Sequence, residues 1–178
     1  PTKDKCDANI TLDEVRAACK KAARRKAPGP DGIPGEMYRT FLNLLAPRLY
    51  AVLREAQQLK RLPKSFMEGQ ICLLYKKGER ADIRNYRPIT LLNSDYKIYT
   101  KILTERMKPA AVQFASPEQT GFVPKRFISD STHFLKLLQD QMEKENTEGM
   151  FLFLDMEKAF DRVSWEFLLE GLRSLGFG

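Results

Sequence analysis

Residues 150–165 read MFLFLDMEKAFDRVSW and contain the clearest structural signal in the chain. Five apolar residues follow Gly149 and end at Asp155, a pattern that predicts a buried central β-strand. A carboxylate at the end of a buried strand is costly to desolvate unless a basic partner, backbone donors or a divalent cation compensates it. Magnesium favours one or two carboxylates together with waters and substrate phosphates. Asp155 is therefore either half of a metal site or, more simply, the cap of a turn.

The residues that follow Asp155 favour the metal site. Phe160 and Asp161 come five and six positions later, and a helix is expected to open at Ser164-Trp165. This arrangement resembles the first catalytic motif of reverse transcriptases, in the form carried by non-LTR (LINE-type) retrotransposons. The resemblance implies that Asp155 binds two magnesium ions, helped by the backbone carbonyl of Met156. It also implies that Phe160 is a steric gate beneath the sugar, and that Asp161 has a structural role.

Composition argues against several other classes of protein. Hydrophobic residues make up 43% of the 178 residues, which is ordinary for a globular protein. No apolar run approaches the ~20 residues of a membrane span. The three cysteines lie far apart and His133 is the only histidine. The chain therefore offers few residues for a disulfide framework, a zinc site or a histidine-based catalytic triad. We expect an intracellular protein, nuclear or cytoplasmic, with no membrane partner.

Charge is distributed unevenly along the sequence. The formal net charge is +7; residues 1–108 hold 23 Lys/Arg and 12 Asp/Glu, whereas residues 109–178 hold 7 and 11. The basic first part indicates a surface for a polyanion, next to a region of metal-binding or structural carboxylates. The alternative is that the lysines and arginines simply solvate helix faces.

A second segment that resembles the same family lies near the start of the chain. A helix is predicted from Thr11 to Arg25, because Thr11 and Glu14 fit a capping box and apolar residues recur at helical spacing. The next nine residues, KAPGPDGIP, contain three prolines and two glycines, so they are neither helix nor central strand. A linker is the simplest interpretation. The resemblance to the family's PGPDG segment, which precedes the fingers, instead implies contact with the template. The residues concerned are Lys26, Gly29, Asp31 and Gly32.

A predicted strand–turn–strand unit provides the third match. Residues 69–75 and 82–93 have strand character and are joined by a turn at Lys76 and Lys77. The Arg-Pro-Ile run that begins at Arg87 resembles the fingers of LINE-type and group II intron reverse transcriptases. There, Lys and Arg side chains reach the triphosphate of the incoming nucleotide, and Arg offers a bidentate fork. Arg87 is the main candidate and Lys76 or Lys77 the second; a charged hairpin tip in solvent is the alternative.

The rest of the chain is predicted to be mainly helical, with apolar faces that pack into a core. Pro109 is expected to break or kink one helix. Gln119 and Gly121 lie in a turn that resembles the family's Gln-x-Gly-Phe segment, which implies contact with the template or nucleotide. The predicted helices are Glu36 to Leu45, Pro47 to Lys60, Ser94 to Lys108, Asp130 to Lys144, and a last one that begins at Ser164 and stops at Gly176.

Helices, a short basic hairpin and one buried strand predict an α+β fold. The resemblance implies the fingers and partial palm of a right-hand polymerase, with an N-terminal extension and fingers over 1–130 and the start of the palm over 131–178. The implied reaction is RNA-directed DNA synthesis. Its partners are an RNA template, a DNA primer and deoxynucleoside triphosphates, and its cofactors are two magnesium ions.

The sequence departs from the family's pattern in one respect. The second catalytic motif, an aromatic-Ala-Asp-Asp turn, has no counterpart, because no Asp-Asp pair occurs in the 178 residues. We therefore expect a fragment of a longer enzyme, inactive by itself, or a decayed remnant. A nucleic-acid-binding remnant without catalysis and a non-enzymatic scaffold of the same fold are the alternatives, and the oligomeric state is left open.

Overall fold

The computed structural model describes residues 6–156 and 158–177, except for the side chains of Ala111 and Asp161. This part of the chain forms two compact units, one of residues 8–105 and one of residues 106–177 together with 6–7. It contains both helices and strands, as the predicted α+β class requires. The elements are α1 (Leu12–Lys20), α2 (Gly35–Thr40), α3 (Leu42–Leu59), β1 (Gly69–Tyr75), β2 (Tyr86–Leu92), α4 (Ser94–Phe114), α5 (Ile128–Glu145), α6 (Ala159–Arg162) and α7 (Trp165–Ser174).

The capping box predicted for α1 is confirmed. The Thr11 hydroxyl accepts a hydrogen bond from the Glu14 N–H at 3.3 Å, and the Thr11 N–H donates to the Glu14 carboxylate at 2.9 Å. The helix ends at Lys20 rather than at the predicted Arg25. The backbone tightens after Lys20 and reaches a left-handed φ of 53° at Arg25, a conformation that cannot continue an α-helix.

The core of residues 8–105 is built by α1, α3 and α4, which bury one face each. Phe66, in the 3₁₀ turn Lys64–Met67, closes this core and meets the Tyr96 ring edge-on with 5.8 Å between ring centroids. Cys19 is fully buried here, and burial raises the pKa of its thiol to about 11. The largest fully buried side chains of the core are Ile10, Val15, Cys19, Leu53 and Ile98.

The structure corrects the predicted helices at two prolines. Pro47, expected in a first turn, lies inside α3; Pro109, expected to break or kink a helix, lies inside α4, so the helix is not broken there. Each proline removes one helical donor. Burial beside the prolines offsets that loss, because Ala46 and Leu49 are buried on either side of Pro47 and Ala110 is buried next to Pro109.

The predicted strand–turn–strand unit is confirmed, except that its second strand begins at Tyr86 rather than at residue 82, because Ile83–Asn85 forms a 3₁₀ turn. Strands β1 and β2 pair antiparallel in a register that runs from Gly69 opposite Leu92 to Tyr75 opposite Tyr86. The residues of β1 are all exposed to solvent, and so are those in the middle of β2. The hairpin therefore extends from the unit of residues 8–105 and adds little to its core.

The buried strand predicted over residues 150–154 is wrong in this structure. The segment has no strand hydrogen bonds, and Leu154 is 82% exposed. Among the described residues there is a single sheet, whose two strands pair with each other. A third extended segment therefore has no neighbour to satisfy its backbone groups, and an isolated strand is not a stable element.

The apolar faces of α5 and α7 are also more exposed than predicted. Phe134 of α5 is 62% exposed and Trp165 of α7 is 84% exposed. The ends of α7 agree with the sequence: the Ser164 hydroxyl accepts the N–H of Phe167, and Gly176 takes a φ of 79° in the stop that follows. Within the described part of the chain, no helix is both long enough and apolar enough to cross a membrane.

We expect Leu53→Ala to lower the free energy of unfolding by about 2–5 kcal/mol, because Leu53 is fully buried and its truncation leaves a cavity. Leu154→Ala is the matched control and should change it by less than about 0.5 kcal/mol, since that side chain lies in solvent. Urea unfolding followed by circular dichroism measures both. Equal losses of unfolding free energy in Leu53→Ala and Leu154→Ala would restore the prediction of a buried strand over residues 150–154.

Candidate functional site

The PGPDG segment, residues 28–32, is a hydrogen-bonded turn rather than a linker. The N–H of Gly32 donates to the carbonyl of Gly29 at 3.0 Å, and Gly32 has a φ of 70° that favours glycine. The Asp31 carboxylate accepts the N–H of Ile33 at 2.9 Å. Asp31, predicted to contact the template, therefore has a local role in shaping the turn.

The buried side chain of Asn93, which follows β2, holds this turn in place. Its amide oxygen accepts the N–H of Asp31 at 3.2 Å, and its amide nitrogen donates to the carbonyl of Ser65 at 3.2 Å. The neighbouring Ser94 hydroxyl donates to the carbonyl of Ile33 at 2.7 Å. The PGPDG turn and the base of the hairpin are thus one hydrogen-bonded unit.

Gly29 lies so close to Asn93 that no other residue fits without a shift. A Cβ at position 29 would come within 2.3 Å of the Asn93 amide oxygen and 2.5 Å of the Leu92 carbonyl carbon. Asn93 was not among the residues predicted from the sequence. The available signal was a polar Asn-Ser pair directly after an apolar strand, a place where side chains commonly bond to backbone.

Negative charge gathers beside the turn. Burial raises the pKa of Tyr38 to about 12, with Asp95 and then Asp31 acting in the same direction. Burial also raises the pKa of the Asp95 carboxyl, and repulsion from Asp31 adds to the effect. The predicted template contact Lys26 is exposed at the other end of the segment.

Two tyrosines hold the tip of the hairpin. The Tyr75 hydroxyl donates to the carbonyl of Gly78 at 2.6 Å, and the Tyr86 hydroxyl donates to the carbonyl of Arg80 at 2.8 Å. The two rings meet edge-on with 5.6 Å between centroids. Neither tyrosine was predicted from the sequence to hold the tip. The available signal was a tyrosine at each end of a basic turn. The tip is a structured turn that carries the predicted lysines.

The register distinguishes Lys76 from Lys77. Leu74 lies opposite Arg87, and the N–H of Lys76 donates to the carbonyl of Asn85 at 2.8 Å, which extends the ladder by one step. Because side chains alternate between the two faces of a strand, Lys76 lies on the face of Leu74 and Arg87. Lys77 lies in the bend beyond the ladder.

The arginines of the hairpin differ in their partners. The Arg84 guanidinium contacts the Asp82 carboxylate through two nitrogens, at 2.8 and 3.0 Å, and holds the pKa of that carboxyl below its usual value. Arg87 is exposed and forms no ion pair with any residue that the structure describes. Of the two, Arg87 is the one whose charge is available to an external anion.

In the unit of residues 106–177, Arg126 shapes the turn that contains Gln119 and Gly121. Its guanidinium donates to the carbonyl of Gln119 at 2.8 Å and also bonds the carbonyls of Ser116 and Pro117. The Gln119 amide donates to the carbonyl of Gly121 at 3.4 Å. The guanidinium is thus occupied by backbone oxygens, and Gln119 and Gly121 are held in a defined turn.

The same turn meets the predicted sugar gate. Phe122, with a φ of 62°, places its ring edge-on to Phe160 of α6, with 6.3 Å between centroids and 84° between planes. The two rings are 96% and 85% exposed, so Phe160 is not a core residue. Phe122 was not predicted as a site residue, although it is the last residue of the Gln-x-Gly-Phe segment.

Asp155 and Met156 lie in exposed, irregular backbone before α6. The structure describes no group of three or more His, Cys, Asp or Glu residues, in 6–156 and 158–177, that could hold a metal ion. The side chain of Asp161, predicted to be structural, lies outside what is described. One carboxylate and one carbonyl are oxygen ligands that suit part of a magnesium shell, but they do not make a two-ion site.

Comparison with known proteins gives a consistent set of relatives. Residues 74–178 match the family described as reverse transcriptase (RNA-dependent DNA polymerase). The chain is 36% identical over 176 residues to the Transposon TX1 uncharacterized 149 kDa protein of Xenopus laevis, covering 99% of this chain and 14% of that protein. It is 30% identical over 159 residues to the RNA-directed DNA polymerase from mobile element jockey of Drosophila melanogaster, covering 86% and 17%.

A third relative is the Retrovirus-related Pol polyprotein from type-1 retrotransposable element R1 of Bradysia coprophila. The identity is 26% over 160 residues, which covers 88% of this chain and 16% of that protein. The chain therefore spans between 14% and 17% of the length of these three relatives.

We expect Gly29→Ala to lower the free energy of unfolding by about 1–3 kcal/mol, because its Cβ would press on the backbone of Leu92 and Asn93. Gly121→Ala is the control and should change it by less than about 0.5 kcal/mol, since nothing lies within 4 Å of its Cβ. Thermal and urea unfolding measure both. A neutral Gly29→Ala would show that the turn is not held against the hairpin.

Proposed function

This chain belongs to the reverse transcriptase family, and from that premise we propose that it contributes fingers and palm residues to an RNA-directed DNA polymerase of a non-LTR retrotransposon. The observation that carries the proposal is the exposed face of the hairpin, where Arg87 and Lys76 lie on the same side. In this proposal residues 1–130 form the N-terminal extension and fingers, and residues 131–178 begin the palm. The substrates are an RNA template, a DNA primer and deoxynucleoside triphosphates.

The hairpin is proposed to bind the triphosphate of the incoming nucleotide. Phosphoryl transfer depends mainly on positioning and on neutralising phosphate charge. Arg87 supplies a planar fork without a competing carboxylate, and Lys76 adds a compact charge on the same face. The tyrosine contacts of Tyr75 and Tyr86 hold the turn, which lowers the entropy lost on binding. Arg84 is not proposed to bind the triphosphate, because the Asp82 carboxylate already neutralises its charge.

Asp155 and the carbonyl of Met156 are proposed to hold magnesium in the complete polymerase. When bound, two such ions activate the primer hydroxyl and stabilise the leaving pyrophosphate. The described residues supply only this part of the ligand set. We therefore propose that the chain by itself does not polymerise, and a nucleic-acid-binding role without catalysis is the second candidate for the isolated chain.

The turn of Gln119 and Gly121 is proposed to position the sugar gate as well as the template. Phe122 at its end contacts Phe160, so the turn supports the ring that would exclude a 2′-hydroxyl. The PGPDG turn is proposed to offer its backbone N–H groups and Lys26 to template phosphates. We also propose an intracellular location, nuclear or cytoplasmic, because the cysteine spacing contains no disulfide framework.

We expect Arg87→Gln, in a full-length polymerase that carries this segment, to lower kcat/KM for deoxynucleotides about tenfold or more, since a charged hydrogen bond to phosphate contributes about 1.5–3 kcal/mol. Arg84→Gln is the matched control and should cost less than about twofold, as its charge is paired. Primer extension on an RNA template measures both. The 178-residue chain alone should give no product, and equal losses in the two variants would remove the hairpin from the nucleotide site.

Phe160→Val in the same polymerase is expected to raise ribonucleotide incorporation relative to deoxynucleotides by about tenfold or more, because the smaller side chain admits the 2′-hydroxyl. The melting temperature of the 178-residue chain should stay unchanged, since Phe160 is 85% exposed. Phe134→Val, which changes an exposed ring of α5, is the control for both readouts. A lowered melting temperature with an unchanged incorporation ratio would make Phe160 a packing residue.

A further inference from the structure

A basic cavity lies beside the PGPDG turn, within the unit of residues 8–105. Its volume is about 180 Å³, and four lysines line it. Lys21 and Lys26 come from the segment after α1, whereas Lys97 and Lys101 lie one helical turn apart at the start of α4. Most of the remaining wall is alanine and other small or apolar side chains.

The charge of this cavity is largely uncompensated. The Lys21 ammonium lies 3.8 Å from the Glu105 carboxylate. Lys26, Lys97 and Lys101 form no ion pair with the residues that the structure describes. Like charges that line one small cavity repel each other, and a bound anion removes that repulsion. The cavity is therefore suited to an anionic ligand.

The size of the cavity limits the ligand to a small group. Sites that enclose a whole drug-sized or nucleotide-sized molecule have volumes of about 300–1,000 Å³. A cavity of about 180 Å³ is smaller than these and suits a single phosphate group. Lysine ammonium groups are compact charges that donate to several phosphate oxygens, and the alanine walls offer no partner for a base edge.

The fold fixes the walls of the cavity before any ligand arrives. A Cβ at Gly35 would come within 2.9 Å of the Ala23 carbonyl, so α2 approaches this segment as only glycine allows. The Arg39 guanidinium donates to the carbonyl of Ala22 at 3.3 Å and ties the same two segments together. Ser94, which also lines the cavity, donates its hydroxyl to the carbonyl of Ile33. A cavity held in this way needs little reorganisation to bind.

We propose that this cavity binds one backbone phosphate of a polynucleotide strand, at a site separate from the hairpin face of Arg87. The choice of a polynucleotide over free phosphate rests on the proposed function and on charge, because residues 8–105 hold 19 Lys/Arg and 10 Asp/Glu. A strand that crosses this surface is attracted along its whole length, whereas a free ion is not. The cavity fixes one point of the strand next to the PGPDG turn.

The test is the binding of a labelled single-stranded RNA to the 178-residue chain, measured by fluorescence anisotropy over a range of salt concentrations. Lys97→Gln/Lys101→Gln should weaken binding about tenfold and reduce the slope of log affinity against log salt by about 1, as loss of one phosphate contact requires. Lys20→Gln/Lys136→Gln removes the same charge outside the cavity and should weaken binding less than about threefold. Equal effects of the two double variants overturn the proposal.

A second measurement needs no variant and keeps the test valid if Lys97→Gln/Lys101→Gln does not fold. Acetylation of the wild-type lysines is followed by mass spectrometry with and without RNA. RNA should protect Lys26, Lys97 and Lys101 more than Lys20, and uniform protection overturns the proposal. Inorganic phosphate, compared with chloride at equal ionic strength, should protect these lysines less than RNA does at the same concentration of phosphate groups; equal or stronger protection by inorganic phosphate would reassign the cavity to the free ion and overturn the polynucleotide assignment.

Both experiments are done without magnesium and without nucleotide, so their results do not depend on the proposed polymerase activity. Failure of the Arg87→Gln test with selective protection in the cavity would leave a phosphate site on a protein that binds nucleic acid without catalysis. If the cavity test fails and Arg87→Gln lowers activity as expected, the nucleotide site stands. Only the proposal that the cavity binds the polynucleotide strand is then removed.

Discussion

The amide of Asn93 is the contact on which the described arrangement of residues 8–105 depends. One buried side chain accepts from Asp31 and donates to Ser65, and so joins the PGPDG turn, the 3₁₀ turn before β1 and the end of β2. Without it the Asp31 N–H and the Ser65 carbonyl lose these partly buried hydrogen bonds, and a typical intramolecular hydrogen bond contributes about 0.5–1.5 kcal/mol. Gly29 is constrained by the same residue, because its backbone lies against Asn93 with no room for a side chain. The proposed template turn and the proposed nucleotide hairpin therefore share one anchor.

The sequence predicted the features whose signals are local. The Thr11 capping box spans four residues and was found at its predicted position; the hairpin has a basic turn between two strands, and only the start of its second strand differs from the prediction. Features that depend on distant partners were predicted poorly. The segment 150–154 has strand composition but no strand to pair with, and Pro47 lies within a helix that burial sustains. Asn93 bonds residues 62 and 28 positions away, a relation that no local pattern contains.

The same distinction applies to the candidate sites. Arg87 could be selected from its motif, but only the strand register shows that Lys76 shares its face. The ring contact between Phe122 and Phe160 joins two segments that are far apart in sequence, and the resemblance treated them separately. The Arg126 charge is occupied by the carbonyls of its own turn, a set of contacts that no local pattern indicated. Family motifs thus identify candidates, and the hydrogen-bond partners decide which charges remain available.

The two-stranded form of the hairpin has a consequence for the behaviour of the protein in solution. Within the described residues the sheet has only β1 and β2, so each strand has an open edge of N–H and C=O groups, and apolar side chains such as Leu73 are exposed along it. Such edges can add a strand from another copy of the chain, and proteins commonly oppose this with charge. Arg87 on β2 places such a charge on the hairpin, so the cation proposed to bind phosphate also opposes the pairing of two copies. Salt screens both effects over about 8 Å at physiological ionic strength, and ligand affinity and colloidal stability therefore decline together as salt is raised.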